Sequence, residues 1–341
     1  MSATAKPRSH KQEIADDLLS RFPEAPTKTL ARIAYRDNRS VWSNLDAARG
    51  YFRLQRGNLG PRHLKEVKDK SHFRPNQKSC DPFGKLPKPL REFEDWGSVD
   101  FPGPLRALII SDPHIPYYDK PATVCALKSG KEFGANVVLL NGDIADFFGV
   151  SFWENDPRKR DFPKEVRDVK DFLRSVRDLF PKARIIYKLG NHEERLIRYM
   201  RVKAPELLGL AEFEIESVLG LADNDIQLVK DNRPIRLGEL NVIHGHEYRF
   251  AISNPVNPAR GLFLRGKCHA VCGHFHQTSQ HSERSLEQKV LSVWSVGCLS
   301  DLHPEYRPIN NWNHGFMLVT VGKDDAFEVN NMRIVDGKAY H

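Results

Sequence analysis

The chain has 341 residues, 40% hydrophobic and 28% charged, enough to bury a sizeable core. No run approaches the ~18–20 uncharged apolar residues of a membrane span or resembles a secretory signal, and five scattered cysteines (Cys80, Cys125, Cys268, Cys272, Cys298) argue against a disulfide framework, so a cytoplasmic protein without a membrane partner is expected. The net charge of +8 is uneven: residues 1–91 hold 20 Lys and Arg against 9 Asp and Glu, which points to a polyanionic partner there, with a solvated basic surface as the plain alternative.

Ile14, Leu18, Leu19 and Phe22 at helical spacing predict a helix over 13–22, ended by Pro23 and Pro26. A second runs from Thr27 through Leu30, Ile33 and Ala34 to Asn38, and a third, with Ser40 as N-cap, continues through Val41, Leu45, Ala48 and Phe52. Residues 1–60 thus read as a small all-α domain. Arg49, Arg53 and Arg56, with Arg62 just beyond, suit phosphate contacts, so this domain is either a helix-turn-helix-like module for nucleic acid, DNA first, or a helical docking domain. Residues 61–91 are basic and proline-rich, the composition of a linker or arm. From 92 to 341, short apolar runs (Leu105 to Ile110, Val137 to Leu140, Arg184 to Leu189, Leu240 to Ile243, Ala270 to Cys272, Val290 to Val296, Phe316 to Val321) alternate with helical segments, an α/β pattern.

The ends of those runs are loaded with metal-binding side chains. They deliver Asp112 and His114, then Asp143 and Asp146, then Asn191, His192 and Glu193, then His244, and finally His274 and His276. Ligands of an open α/β sheet collect outside the carboxyl ends of its strands, so these clusters can converge on one site. Carboxylate, imidazole and amide oxygen without thiolate suit divalent ions of intermediate hardness, and a catalytic two-metal centre is the natural product.

In order, the blocks D-x-H, G-D-x-x-D, G-N-H-E, H and G-H-x-H resemble the calcineurin-like metallophosphoesterase superfamily over about residues 104–321. The resemblance implies a four-layer αββα sandwich and two divalent cations, with Asp112, His114 and His276 on one, Asn191, His244 and His274 on the other, and Asp143 bridging. Manganese is the expected ion, with Fe, Zn, Ni or Mg as alternatives. It further implies a hydroxide between the cations as nucleophile, His192 protonating the leaving oxygen or stabilising the transition state, and Asp146 orienting His192.

Two departures narrow the substrate. Gly142 to Gly149 contains no arginine to grip a phosphoryl group, and Gly273-His274-Phe275-His276 stands in place of the R-A-H-E block of protein Ser/Thr phosphatases. The phosphodiesterase and nuclease branches fit better, and the layout looks like enzymes encoded by phages and prophages. Cleavage of phosphodiesters in DNA is the leading expectation. A phosphodiesterase for small or cyclic nucleotides is one alternative; a nucleic-acid-binding regulator with a retired phosphoesterase domain is another, which the intact Asp146 and His192 argue against.

Phe147, Phe148, Phe152 and Trp153, followed by Arg158, Lys159 and Arg160, are expected either to stack an unpaired base and hold its backbone or to pack under the site's rim. Pro113 is expected to hold Asp112 extended. Cys268, Ala270 and Cys272 should bury one strand face, while His246 and His269 should support the site rather than ligate.

Overall fold

The computed structural model describes residues 9–57, 96–152, 156, 158, 160–248 and 256–341; the expected linker at 61–91 and the side chains of Arg62, Trp153 and Lys159 lie outside them. The chain divides into two compact units, Met1–Phe93 and Glu94–His341.

The first unit contains α1 (His10–Arg21), α2 (Thr27–Asp37) and α3 (Leu45–Gln55). Their apolar stripes close on Leu18, Leu30, Ala34, Trp42, Ala48 and Phe52. The start of α3 corrects the expected cap at Ser40. The Val41 amide is spent on a turn to the Asn38 carbonyl at 3.0 Å, and the helix begins only after extended Asn44, whose Oδ1 accepts the Ala47 N–H at 2.8 Å. Arg49 and Arg53 are exposed on α3. Arg56, expected at a phosphate, donates to the Pro23 carbonyl at 2.8 Å and so ties the end of α3 to the turn between α1 and α2.

The second unit is built on two sheets. The larger has seven strands: β2 (Leu105–Ile110), β3 (Val137–Asn141), β4 (Arg184–Lys188) and β5 (Ile226–Val229) run parallel, and β11 (His314–Val321), β12 (Phe327–Val335) and β13 (Lys338–Tyr340) extend it antiparallel from β2. The smaller has six, in the order β1 (Val99–Phe101), β6 (Ile235–Leu237), β7 (Leu240–Val242), β8 (Ala270–Cys272), β10 (Val290–Ser295) and β9 (Ser279–Arg284).

Alternation along β2 explains the layering. Ala107 and Ile109 face the smaller sheet, meeting Val242, Val271 and Trp294, whereas Leu108 and Ile110 face α4 (Lys120–Phe133) and α5 (Phe162–Leu179) through Ala122, Ala126, Val169 and Leu173. Both faces are covered, so β3 is buried throughout and apolar until Asn141. On the far side of the smaller sheet, Ala259 and Leu262 of α8 (Pro258–Gly266) pack on Ala270, Cys272 and Val293, which completes four layers, helix, sheet, sheet, helix. Short α6 (Glu194–Lys203) and α7 (Ile215–Leu219) follow β4. Among the described residues no helix is long and apolar enough to cross a membrane.

Leu139, fully buried between the sheets, tests this packing. Leu139→Ala should destabilise the second unit by about 2–5 kcal/mol, read as a lower urea midpoint with unchanged circular dichroism before the transition.

Candidate metal centre

β2, β3 and β4 are parallel neighbours in one sheet, and β7 and β8 in the other, so the five motif-bearing loops leave carboxyl ends that face one rim. Cross-loop bonds index them to each other. The Asp112 N–H donates to the Gly142 carbonyl at 3.1 Å, the His114 N–H to Asp143 at 3.0 Å, and the Gly273 N–H to His244 at 2.8 Å. Asn141 Nδ2 donates to the Ile243 carbonyl at 2.9 Å and joins the two sheets directly. A Cβ at Gly190 would strike the Asp143 carboxylate, and one at Gly142 the His244 ring, so both positions demand glycine.

Asp112, His114, Asp143, His274 and His276 all adopt positive φ, between +51° and +66°. Each such conformation costs about 1–2 kcal/mol for a side-chain-bearing residue, and strain of this kind gathers at functional sites. The value at Asp112 corrects the expectation drawn from Pro113. There the carboxylate, which accepts from Ser111 Oγ at 2.5 Å and from the His274 N–H at 2.9 Å, sets the backbone against the proline's preference.

Two triads of ligand-type atoms result, Asp112 with His114 and His276, and Asp143 with His244 and His274, the atoms of each within 4.8 Å of one another; His114, Asp143 and His192 form a third. His276 Nε2 lies 3.3 Å from Asp112 Oδ1, and His244 Nε2 lies 3.2 Å from Asp143 Oδ2. Asn191 holds a buried Oδ1 without a hydrogen-bond partner.

The residues fit a divalent cation. His244 Nδ1 donates to the Asn141 carbonyl at 2.8 Å, which leaves Nε2 aimed at the carboxylates. Both His244 Nε2 and Asp112 Oδ1 are buried without a hydrogen bond, a state a cation would relieve. Burial opposes a charged His244 ring, yet Asp143 and Asp112 outweigh it and raise its pKa to about 10, whereas burial and then His244 push His274 down to about 4. Two buried carboxylates thus demand positive charge, and imidazoles of both kinds stand ready as donors. Divalent metal binding is what the buried His/Asp cluster suggests.

Beside the triads lies a polar chain. His192 Nδ1 is 3.0 Å from Asp146 Oδ1 and 2.9 Å from its carbonyl, while the His192 N–H donates to Asp143 Oδ1 at 2.8 Å. Burial works against a charged His192, but Asp143 and Asp146 prevail and raise its pKa; His114 and His192 in turn hold Asp146 well below the carboxylate range despite burial.

Sequence reasoning placed Glu193 in the G-N-H-E block without giving it a role, and it missed Arg195 and Trp312. Glu193 is buried and accepts five hydrogen bonds of 2.8–3.0 Å, from the amides of Asp143, Ile144, Ala145 and Gly190 and from Tyr187 Oη, clamping the β3 loop to the β4 loop. Arg195, one helical turn beyond His192, donates from Nη2 to His192 Nε2 at 2.8 Å. The Trp312 ring packs 4.2 Å from the His276 ring. The spacing of Arg195 from His192 was a usable signal; nothing local pointed to Trp312.

Other expectations divide. Phe147 cannot stack a base, because it is fully buried against Phe162. Phe152 is exposed but lies under the Arg198 guanidinium at 3.9 Å, Arg158 is paired with Asp156 at 2.8 Å, and Arg160 is exposed. Cys272 is buried and its pKa is pushed up to about 12, and it packs with Cys268 and Ala270 in one apolar cluster. His246 lies 3.3 Å from Glu194, and His269 Nδ1 accepts from the Ser292 N–H.

Glu193→Ala should leave several buried N–H groups without an acceptor, at a cost of about 3 kcal/mol or more. A fall in melting temperature together with reduced metal uptake, measured by elemental analysis, is expected; full metal uptake at wild-type stability would contradict the clamp.

Among curated proteins, nothing matches the chain. Solved structures similar to it include a Vps29 single mutant from Entamoeba histolytica (15% identity, 69% of this chain and 96% of that one, TM-score 0.35), the phosphoesterase Yfce from E. coli (16%, 66% and 98%, 0.32) and a dimetal phosphatase from Danio rerio (13%, 67% and 96%, 0.36). The sequence pattern of the calcineurin-like phosphoesterases matches residues 105–294, more than half of the chain and all five motif-bearing loops. With its two-sheet sandwich and the His/Asp cluster at the strand ends, the chain belongs to the calcineurin-like phosphoesterase family.

Proposed function

We propose that the chain is a metal-dependent phosphodiesterase that cleaves nucleic acid, DNA foremost, with residues 1–60 supplying affinity for the polymer. The observation that carries the catalytic part is the pair of triads, Asp112–His114–His276 and Asp143–His244–His274, with the His192–Asp146 pair beside them. In this reading Asp112, His114 and His276 would hold one cation and Asn191, His244 and His274 a second, with Asp143 available to both; manganese would suit the imidazole-rich set. When bound, such cations neutralise charge on phosphate oxygens and make water a nucleophile at neutral pH.

The chain's own groups do the rest. Asp146 accepts from His192 Nδ1 and orients the ring, so that the imidazole can hold or pass a proton at the leaving oxygen. Asp143 fixes the same residue from its backbone. Glu193 and the cross-loop bonds keep these atoms in place before substrate arrives, so little reorganisation is left for the reaction. Support for a polymeric anion comes from the basic first quarter of the chain and from exposed Arg49 and Arg53 on α3. Arg158 and Arg160, with Lys159 and Trp153, are proposed contacts for the strand entering the site.

Chelated protein should be inactive on bis-p-nitrophenyl phosphate and regain activity with Mn2+ more than with Mg2+. In the same assay His192→Ala should lower kcat by a factor of about 100 or more with metal content unchanged; loss of metal from that variant would make His192 a ligand instead. Replacing Arg49 and Arg53 with alanine should lower the slope of log K for DNA against log salt by about 2, one for each phosphate left without its arginine, while sparing the small diester. An unaltered slope would remove α3 from the nucleic-acid interface.

A further inference from the structure

We propose that Arg195 grips an anionic non-bridging oxygen of the phosphate being cleaved. The inference rests on the phosphoesterase reading above and adds a recognition group that the G-D-x-x-D segment itself lacks. Arg195 lies in the first turn of α6, three residues after His192, whose carbonyl accepts the Arg195 N–H at 3.0 Å across the turn that leads into the helix. Its Nη2 donates to His192 Nε2 at 2.8 Å and its Nη1 to the Asp146 carbonyl at 2.9 Å, and the side chain is 15% exposed. The nearest carboxylate oxygen, Asp146 Oδ2, stays 3.6 Å away, and the other oxygen of that carboxylate already serves His114 and His192.

Arg177 shows what a packing arginine looks like in this chain: its guanidinium donates to the carbonyls of Phe180, Ala183, Asn224 and Asp225. Arg195 is different. It holds one carbonyl and one imidazole where Arg177 holds four carbonyls, and each of the two arginines has a single carboxylate oxygen no nearer than 3.6 Å. The position of Arg195 relative to the metal cluster gives its charge a use. His192 Nε2 lies 3.8 Å from Asp143 Oδ2, so a phosphate seated at the Asp143 triad comes within reach of the guanidinium fork. An arginine stays protonated throughout the working pH range, so it offers permanent positive charge where the transition state gains negative charge. Moving Nη2 onto the phosphate also frees His192 Nε2 for the leaving oxygen. The ligand class is any phosphate ester with at least one charged non-bridging oxygen.

The test uses full-length wild type, Arg195→Gln and Arg195→Lys. Inorganic phosphate is titrated calorimetrically into Mn2+-loaded and metal-free protein, and kcat and KM are measured on bis-p-nitrophenyl phosphate. Arg195→Gln should bind phosphate about 10- to 100-fold more weakly in the loaded protein, with metal content and melting temperature unchanged. Arg195→Lys, which keeps the charge but loses the fork, should recover part of that affinity and part of kcat/KM. If the glutamine variant does not fold, the lysine variant must still bind phosphate several-fold more weakly than wild type. Wild-type phosphate affinity in a folded variant that has lost activity would overturn the proposal and reduce Arg195 to a residue that positions His192. A wild-type protein that binds phosphate through Arg195 yet cleaves no diester with any metal would uphold the grip and sink the phosphodiesterase reading.

Discussion

Asp112 and Asp143 are almost fully removed from water, and a buried carboxylate is stable only if positive charge or well-aimed donors surround it. Much of the second unit can be understood as the means of meeting that requirement. Backbone donors take one oxygen of each: His274 N–H for Asp112, His192 N–H for Asp143. The remaining oxygens face imidazoles from both sheets, and Asp112 Oδ1 is left without a hydrogen bond. Such a cluster of buried carboxylates and imidazoles suits a divalent cation.

Holding that centre open takes compensation elsewhere. Five of its residues sit in left-handed backbone conformations that their side chains disfavour. The strain is opposed by local rigidity: Glu193 gathers four amides and a tyrosine hydroxyl, Asn141 pins one sheet to the other, and the Lys188 ammonium lies 3.0 Å from Glu247, whose carboxylate accepts from the His244 and Gly245 amides. Buried Lys188 and mostly buried Glu247 form a pair, with Lys188 also donating to the Arg233 carbonyl at 2.8 Å. Such a pair contributes little net stability but fixes geometry, and the geometry here is that of the His244 loop. Directly behind these loops stands the double-sided core of β3, rigid enough to carry them.

The first unit works by different physics. Its three short helices bury alanines, leucines and two aromatics without a titratable group at the centre, and Arg56 is absorbed in holding the turn between α1 and α2. What it offers outward is charge on α3. Surface charge acts over a Debye length of about 8 Å at physiological salt, whereas the His/Asp cluster of the second unit acts at contact distance.

The apolar runs that end in Asp112, Asp143, Asn191, His244 and His274 were legible in the sequence because alternation and short buried runs are local properties, and because five acid and imidazole clusters in succession exceed what turn chemistry explains, although any one of them alone would not. Helices α1 and α2 were legible for the same reason. Half-exposed β9 and β12 and three-residue β1 and β6 were not, since they take their structure from neighbours rather than from their own pattern. The positive φ at Asp112 was also hidden: Pro113 argued for extension, whereas in the fold Asp112 is held by bonds to Ser111, Gly142 and His274, the last 162 residues away. By itself the sequence determined which side chains could serve a metal phosphoesterase site and in what order the strands deliver them. The tertiary structure alone decided that Glu193 clamps two loops, that Phe147 faces inward and that Trp312 packs on His276, because each of these depends on distances between segments that no local pattern records.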